Sequence, residues 1–158
     1  MGTESDTPAT ADEILERVLA DHDVLRGMLV RVGVLARHVL QGRVRFSDEL
    51  REQFMMLDRR VREHLELEER ILGPALLASD AWGPERLERL HEEHARHREI
   101  MTEAWCAGRQ GEPNILVFAL LAWGFARMLR EDMAEEERLS LNDRVLGDNP
   151  IDPYTETD

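Results

Sequence analysis

Apolar residues recur with helical spacing along four long segments of the chain, and none of these segments has the alternating pattern of a β-strand. The predicted helices run from about Ala11 to Leu40, from just after Ser47 to about Leu72, from Gly83-Pro84 to Gly108, and from just after Pro113 to about Val145. Short connections favour antiparallel packing of neighbouring helices. The pattern therefore predicts an all-α fold, an up-down-up-down antiparallel four-helix bundle.

Local signals mark the ends of these helices. Thr10 and Glu13 have the spacing of a capping box, and Ser47 suits the N-cap of the second helix. Gly73-Pro74 is expected to break or kink the second helix, because proline cannot donate a backbone hydrogen bond. Pro84 suits the first turn of the third helix. We expect a flexible N-terminus over residues 1–10, the bundle over 11–146 and an acidic tail over 147–158.

Composition and charge narrow the classes of function. The 158 residues are 42% hydrophobic and 34% charged, as in a soluble protein of one domain. A net charge of -13 without a basic patch predicts no binding to nucleic acid or to an anionic membrane. Cys106 is the single cysteine, so no intrachain disulfide forms. The polar, acidic start of the sequence predicts a cytoplasmic protein, either a monomer or a homodimer.

Each predicted helix also carries a polar side chain, or a pair of them, within its apolar stripe. On a helical wheel, the stripe centres coincide with four residues on four helices, His22, His64, His94 and Asp132. Glu68 and Glu136 follow two of them by four positions and lie about 40° away. Because buried polar groups are costly without partners, the six residues are candidate ligands of a shared metal ion. No catalytic side chain is singled out.

The nitrogen and oxygen donors of this set suit iron, with manganese or zinc also compatible. Ordinary alternatives exist for each residue. A buried histidine can find a common hydrogen-bond partner, Asp132 and Glu136 can form a solvated pair, and Glu68 can pair with Arg60 or Arg98. The coincidence of all the inward positions favours the metal interpretation.

The same helical wheel predicts which way the neighbouring polar side chains face. Glu69 and Glu137 point about 140° away from the stripes and are expected in solvent. Glu135 lies about 60° to one side of Asp132, close enough to support a ligand. His91 and His97 flank His94 at similar angles. The neighbouring leucines of His91 make it the favoured additional residue.

At these residues the chain resembles the hemerythrin-like (HHE cation-binding) family. The motifs are Asp21-His22, His64-x3-Glu68-Glu69 with a trailing Ile71-Leu72-Gly73-Pro74, Glu93-His94, and x3-Glu136-Glu137. The resemblance implies a non-haem di-iron centre in a four-helix bundle. It also implies a ligand set of His22, His64, Glu68, His94 and Glu136, with the two glutamates as bridges. Dioxygen, peroxide or a metal ion is the implied small-molecule partner.

The fourth helix departs from the family pattern. Asp132 stands where the family has a histidine four residues before the glutamate, and no second histidine lies four residues from His94. Asp132 can bind the metal directly, bind it through water, or leave one metal short of a ligand. A carboxylate in place of imidazole adds negative charge and favours the ferric state. This weakens the case for a reversible oxygen carrier and is compatible with oxidase, peroxidase or catalase-like chemistry.

Two interpretations follow. In the first, the protein is a hemerythrin-like di-iron protein that interacts with dioxygen or peroxide, whether or not it is an enzyme. Hydrogen bonds donated to Asp21, Glu93 or Glu135 are expected to orient its histidines. In the second, the bundle is a non-enzymatic sensor or scaffold with a degenerate site that holds one metal or none.

Overall fold

A computed structural model describes residues 10–109 and 114–139 of the chain. Four α-helices make up almost all of this part: α1 (Ala11–Leu40), α2 (Ser47–Ser79), α3 (Gly83–Arg109) and α4 (Ile115–Leu139). A short 3₁₀ helix, Val44–Phe46, precedes α2. Each α-helix packs against two neighbours, so that α1, α2, α3 and α4 close a ring. The predicted four-helix bundle is confirmed.

Several sequence predictions fall on residues that the structure does not describe. They are the N-terminal segment before residue 10, the start of the fourth helix around Pro113, its last turns beyond residue 139, and the acidic tail. Within the described residues, no helix has an apolar stretch of the length needed to cross a bilayer.

The predicted cap of α1 is confirmed, and that of α2 is wrong. The Thr10 backbone N–H donates to the Glu13 carboxylate at 2.8 Å, and the Glu13 N–H donates to the Thr10 hydroxyl at 3.3 Å. In α2, Ser47 is already the first helical residue and Phe46 occupies the cap position. The Ser47 hydroxyl instead donates to the Val44 carbonyl of the preceding 3₁₀ helix.

The predicted end of α2 at Gly73-Pro74 is also wrong, because the helix continues through Pro74 to Ser79. Leu72 and Leu76 lie on either side of the proline and are both buried in the core. Burying a leucine side chain contributes about 1.5–3 kcal/mol, and this packing offsets the hydrogen bond that proline removes. The extension of α2 brings its last turn against the start of α3.

A polar layer divides the interior into two hydrophobic clusters. The larger cluster includes Phe54, Phe118 and Phe125. The smaller one consists of Ile14, Val18, Leu72, Leu76 and Leu90. Along α1 and α3 the chain passes from the smaller cluster through the polar layer to the larger one, and along α2 it passes in the opposite order. This reversal is the signature of antiparallel neighbours, and it brings the candidate ligands of all four helices to one level.

The turn between α2 and α3 requires a glycine at Gly83. A Cβ atom added there would lie 2.3 Å from the Leu76 carbonyl oxygen and 2.7 Å from that of Leu77. Both contacts are with backbone atoms, which cannot rotate aside. Gly124 of α4 differs, since an added Cβ would meet no atom within 4 Å.

We predict opposite effects of alanine at these two glycines. Gly83→Ala should lower the free energy of unfolding by about 2 kcal/mol or more, because the backbone of the turn must move. Gly124→Ala, the matched control, should raise it by about 0.5–1 kcal/mol, because alanine has a higher helix propensity than glycine at an exposed helical position. Urea unfolding followed by helical circular dichroism measures both. Equal effects of the two substitutions would contradict the close packing of this turn.

Candidate metal centre

The carboxylate of Glu68 lies at the centre of the polar layer and faces three histidines from three helices. Its Oε1 atom is 3.4 Å from His22 Nε2 and 3.0 Å from His64 Nε2. Its Oε2 atom is 3.1 Å from His94 Nε2. These four residues are at most 2% exposed. Glu68 therefore turns one oxygen toward α1 and its own helix, and the other toward α3.

Several atoms of this cluster are buried without a hydrogen-bond partner among the described residues. They are His22 Nε2, Glu68 Oε1 and Glu136 Oε1. The close approach of Glu68 Oε1 to two imidazole nitrogens lacks hydrogen-bond geometry. One ligand atom each from His22, His64 and Glu68 lies within 4.8 Å of the others. A cation bound between them would satisfy all of these lone pairs, so the donors fit iron, manganese or zinc.

The fourth helix brings a second glutamate to the cluster. Glu136 Oε2 lies 3.5 Å from His22 Nε2. Burial, together with repulsion from the neighbouring Glu68 carboxylate, raises the pKa of Glu136 above its usual value. Two carboxylates held this close favour a shared cation, which would stabilise the charged form of both.

His22 and Glu68 shift each other's pKa values. Burial opposes the charge on Glu68, but its contacts with the three histidines outweigh burial and hold its pKa well below the usual value. Burial also opposes the charge on His22, yet its contacts with three glutamates raise its pKa to about 10. Glu68 is therefore ready to bind as a carboxylate, whereas a cation must displace a proton from His22.

Behind the cluster, each histidine uses its Nδ1 atom to contact a carboxylate, and each carboxylate contacts an arginine. The distances from Nδ1 to the carboxylate oxygen are 2.7, 3.1 and 2.9 Å. The three groups are His22–Glu137–Arg26, His64–Asp21–Arg60 and His94–Glu69–Arg98. Since the carboxylates accept, Nδ1 carries the proton and Nε2 of a neutral ring presents its lone pair to the cluster.

These groups correct two sequence predictions and exclude one of the alternatives. Glu69 and Glu137 do not point into solvent but hold histidines, although they remain about a quarter exposed. Arg60 and Arg98 pair with the outer carboxylates, not with Glu68. The wheel failed because a glutamate stem reaches sideways to the next helix, so an angle measured at Cα does not fix where the carboxylate lies.

Asp21 does contact His64, as the sequence analysis expected, whereas the other two proposed supports take different positions. Glu93 and Glu135 are exposed residues of α3 and α4 that line a cavity beside the cluster. This cavity has a volume of about 260 Å³, and Asp132 and Glu136 also line it. It gives a small molecule an approach to Glu136, the ligand candidate that borders both the cavity and His22.

Asp132 forms a hydrogen bond with His97, although His91 was the histidine predicted to join the site. His97 Nε2 lies 2.8 Å from Asp132 Oδ2, and His97 is only 4% exposed. The preference for His91 is wrong, because that side chain is exposed. The sequence held a signal for the correct choice. One and two turns after His97 come the apolar Met101 and Ala104, both buried.

The fold and the site together define a class, a four-helix bundle with a buried histidine–carboxylate centre for a cation. The model of the hemerythrin HHE cation binding domain matches residues 13–141, which is most of the chain. The protein belongs to this family. It matches no curated protein and no solved structure.

We predict that the outer carboxylates strengthen cation binding. Asp21→Asn removes the charge that orients His64, so affinity for Fe²⁺ or Zn²⁺ should fall about 10–100-fold. Glu63→Gln is the matched control, because Glu63 is half-exposed and contacts the same Arg60. Competition with a chelator measures both affinities. Equal affinities of the two variants would contradict a role for the Asp21 carboxylate.

Proposed function

We propose that this protein holds a non-haem di-iron centre and reacts with dioxygen or peroxide. One observation carries the proposal. The two oxygens of Glu68 face different histidines, with Oε1 beside His22 and His64 and Oε2 beside His94. A carboxylate in this position is suited to bridge two metal ions. Membership of a cation-binding family supports the same conclusion.

The donors divide into two sets around this bridge. His22, His64 and Glu68 Oε1 form the set for one metal ion. His94, Glu68 Oε2 and Asp132 would hold the second. Glu136 would be the second bridging ligand, since one of its oxygens faces His22 and the other is buried without a hydrogen-bond partner among the described residues.

Bound iron would supply Lewis-acid and redox chemistry toward oxygen species. The chain's own residues prepare the site for it. Asp21, Glu69 and Glu137 hold a proton on Nδ1 of each histidine, so that Nε2 is the nitrogen that would bind the metal. The hydrophobic clusters above and below the polar layer restrict water. Small molecules would reach Glu136 and Asp132 from the adjoining cavity.

The carboxylate of Asp132 would influence which oxidation state of the bound iron is stable, and so the type of reaction. A carboxylate ligand carries more negative charge than imidazole and stabilises the ferric state relative to the ferrous state. Reversible oxygen carriage needs a stable diferrous form. The composition of the site therefore favours oxidase, peroxidase or catalase-like chemistry over oxygen carriage.

Metal content of purified protein tests the di-iron assignment. The wild-type chain, reconstituted anaerobically with Fe²⁺ and then exposed to air, should retain about two irons per chain and show oxo-to-iron absorption. Glu68→Ala should lose both irons, because each metal set includes one of its oxygens. Glu66→Ala, an exposed position on the same helix, is the control and should retain both.

Less than about one iron per wild-type chain, without oxo-to-iron absorption, would sink the di-iron proposal. Helical circular dichroism of each variant shows whether a loss of iron reflects a loss of folding.

A second candidate function is a sensor or scaffold that binds a single metal ion. It is favoured by one observation: among the described residues, His22, His64 and Glu68 form the only group of three or more such side chains whose ligand atoms all lie within 4.8 Å of one another. Thermal melts with Fe²⁺, Mn²⁺ or Zn²⁺ reveal binding to the native state as a rise in Tm. Peroxide turnover by the iron-bound protein then separates an enzyme from a sensor.

Asp132→His should restore the family pattern in the fourth helix. We expect tighter binding of the second metal and a more hemerythrin-like optical spectrum, because imidazole replaces the carboxylate on α4. Asp132→Asn is the control for loss of charge alone. An unchanged spectrum and metal content in Asp132→His would place Asp132 outside the ligand set.

A further inference from the structure

His97 and Asp132 form a fourth histidine–carboxylate pair, and its layout differs from that of the other three. His22, His64 and His94 contact their outer carboxylates through Nδ1 and aim Nε2 at the cluster. His97 contacts its carboxylate through Nε2 instead. Its Nδ1 atom is buried without a hydrogen-bond partner among the described residues.

This geometry decides which nitrogen of His97 carries the proton. A proton on Nδ1 would bury an unsatisfied donor, at a cost of about 1–3 kcal/mol. It would also leave two acceptors, Nε2 and the Asp132 carboxylate, facing each other at 2.8 Å. With the proton on Nε2, the ring donates to Asp132 and only a lone pair remains without a partner. Nε2–H is therefore the favoured form.

The ring of His97 is also fixed in place by its neighbours. It packs edge-to-face against Phe125, with centroids 6.2 Å apart, and lies 6.5 Å from the ring of His94. Asp132 lies one turn before Glu136 on α4 and borders the same cavity. A rigid donor on α3 thus holds one oxygen of a carboxylate that is about one-third exposed.

We propose that His97 is a positioning residue that holds Asp132 in place as the metal ligand of the fourth helix. The inference rests on the proposed function. Imidazole and carboxylate have exchanged places relative to the other three pairs: there a carboxylate orients a histidine ligand, and here a histidine orients a carboxylate ligand. The hydrogen bond occupies Asp132 Oδ2 and leaves Oδ1 for the metal. The short aspartate stem, which has fewer rotamers than glutamate, is thereby held in one orientation.

The first test needs no metal. In chelator-treated protein labelled with ¹⁵N-histidine, long-range ¹H–¹⁵N correlation spectra report the protonation of each ring nitrogen at neutral pH. We expect a proton on Nε2 of His97, and we expect the Nε2–H proton signal of His97 to shift upfield in Asp132→Leu, which removes the acceptor. An unprotonated Nε2 in the wild-type protein would overturn the inference.

The second test separates positioning from direct coordination by measuring the affinity of each metal site. His97→Leu removes the donor and should weaken binding of the second Fe²⁺ about 10–100-fold. His97→Gln keeps an N–H donor near the position of Nε2, and its affinity should stay within about threefold of wild type, because the hydrogen bond is restored. His91→Leu, an exposed position on the same helix, is the control and should change neither site.

Two outcomes of this test would overturn the inference. Equal loss of the second metal in His97→Leu and His97→Gln would make His97 itself the ligand. No loss in either variant would show that Asp132 needs no support. Failure of the wild-type protein to bind a second metal would instead contradict the proposed function, while the proton on Nε2 would still show whether His97 holds Asp132. Circular dichroism of the chelator-treated variants establishes that they are folded.

Discussion

The structure depends on the burial of one carboxylate, that of Glu68, among three imidazoles. An isolated carboxylate in a protein interior is strongly disfavoured, so it must be paired. His22, His64 and His94 provide the pairing from three helices, and no two of these three helices can shift relative to each other without breaking part of it. The same arrangement gathers nitrogen and oxygen atoms around one point, where a cation can bind in exchange for a proton.

Side chains of alternating charge surround this centre and stabilise it. Each histidine contacts a carboxylate, and each of these carboxylates contacts an arginine at the surface of the bundle. The arginines offset part of the negative charge that the acidic chain concentrates here. Packing of the two hydrophobic clusters on either side fixes the level of the polar layer. The fold thus holds rigid donors in a site that small molecules can approach from one cavity.

The sequence predicted the bundle and the residues at its centre because both follow helical periodicity. His22 and His94 coincide with apolar stripes, and their burial required no knowledge of other helices. Contacts between helices were not predictable in the same way. Glu69 and Glu137 reach histidines of neighbouring helices through long flexible stems, which no single-helix wheel describes. Pro74 was misjudged because the packing around it, not its own preference, decides whether the helix continues.

Glu68 is proposed to bridge two metal ions. Anomalous diffraction from crystals of the iron-bound protein tests this most directly, because it locates each iron independently of the ligands. We predict two peaks of similar height, one beside His22 and His64 and the other beside His94, with the Glu68 carboxylate between them. A single peak, or peaks away from Glu68, would contradict the account.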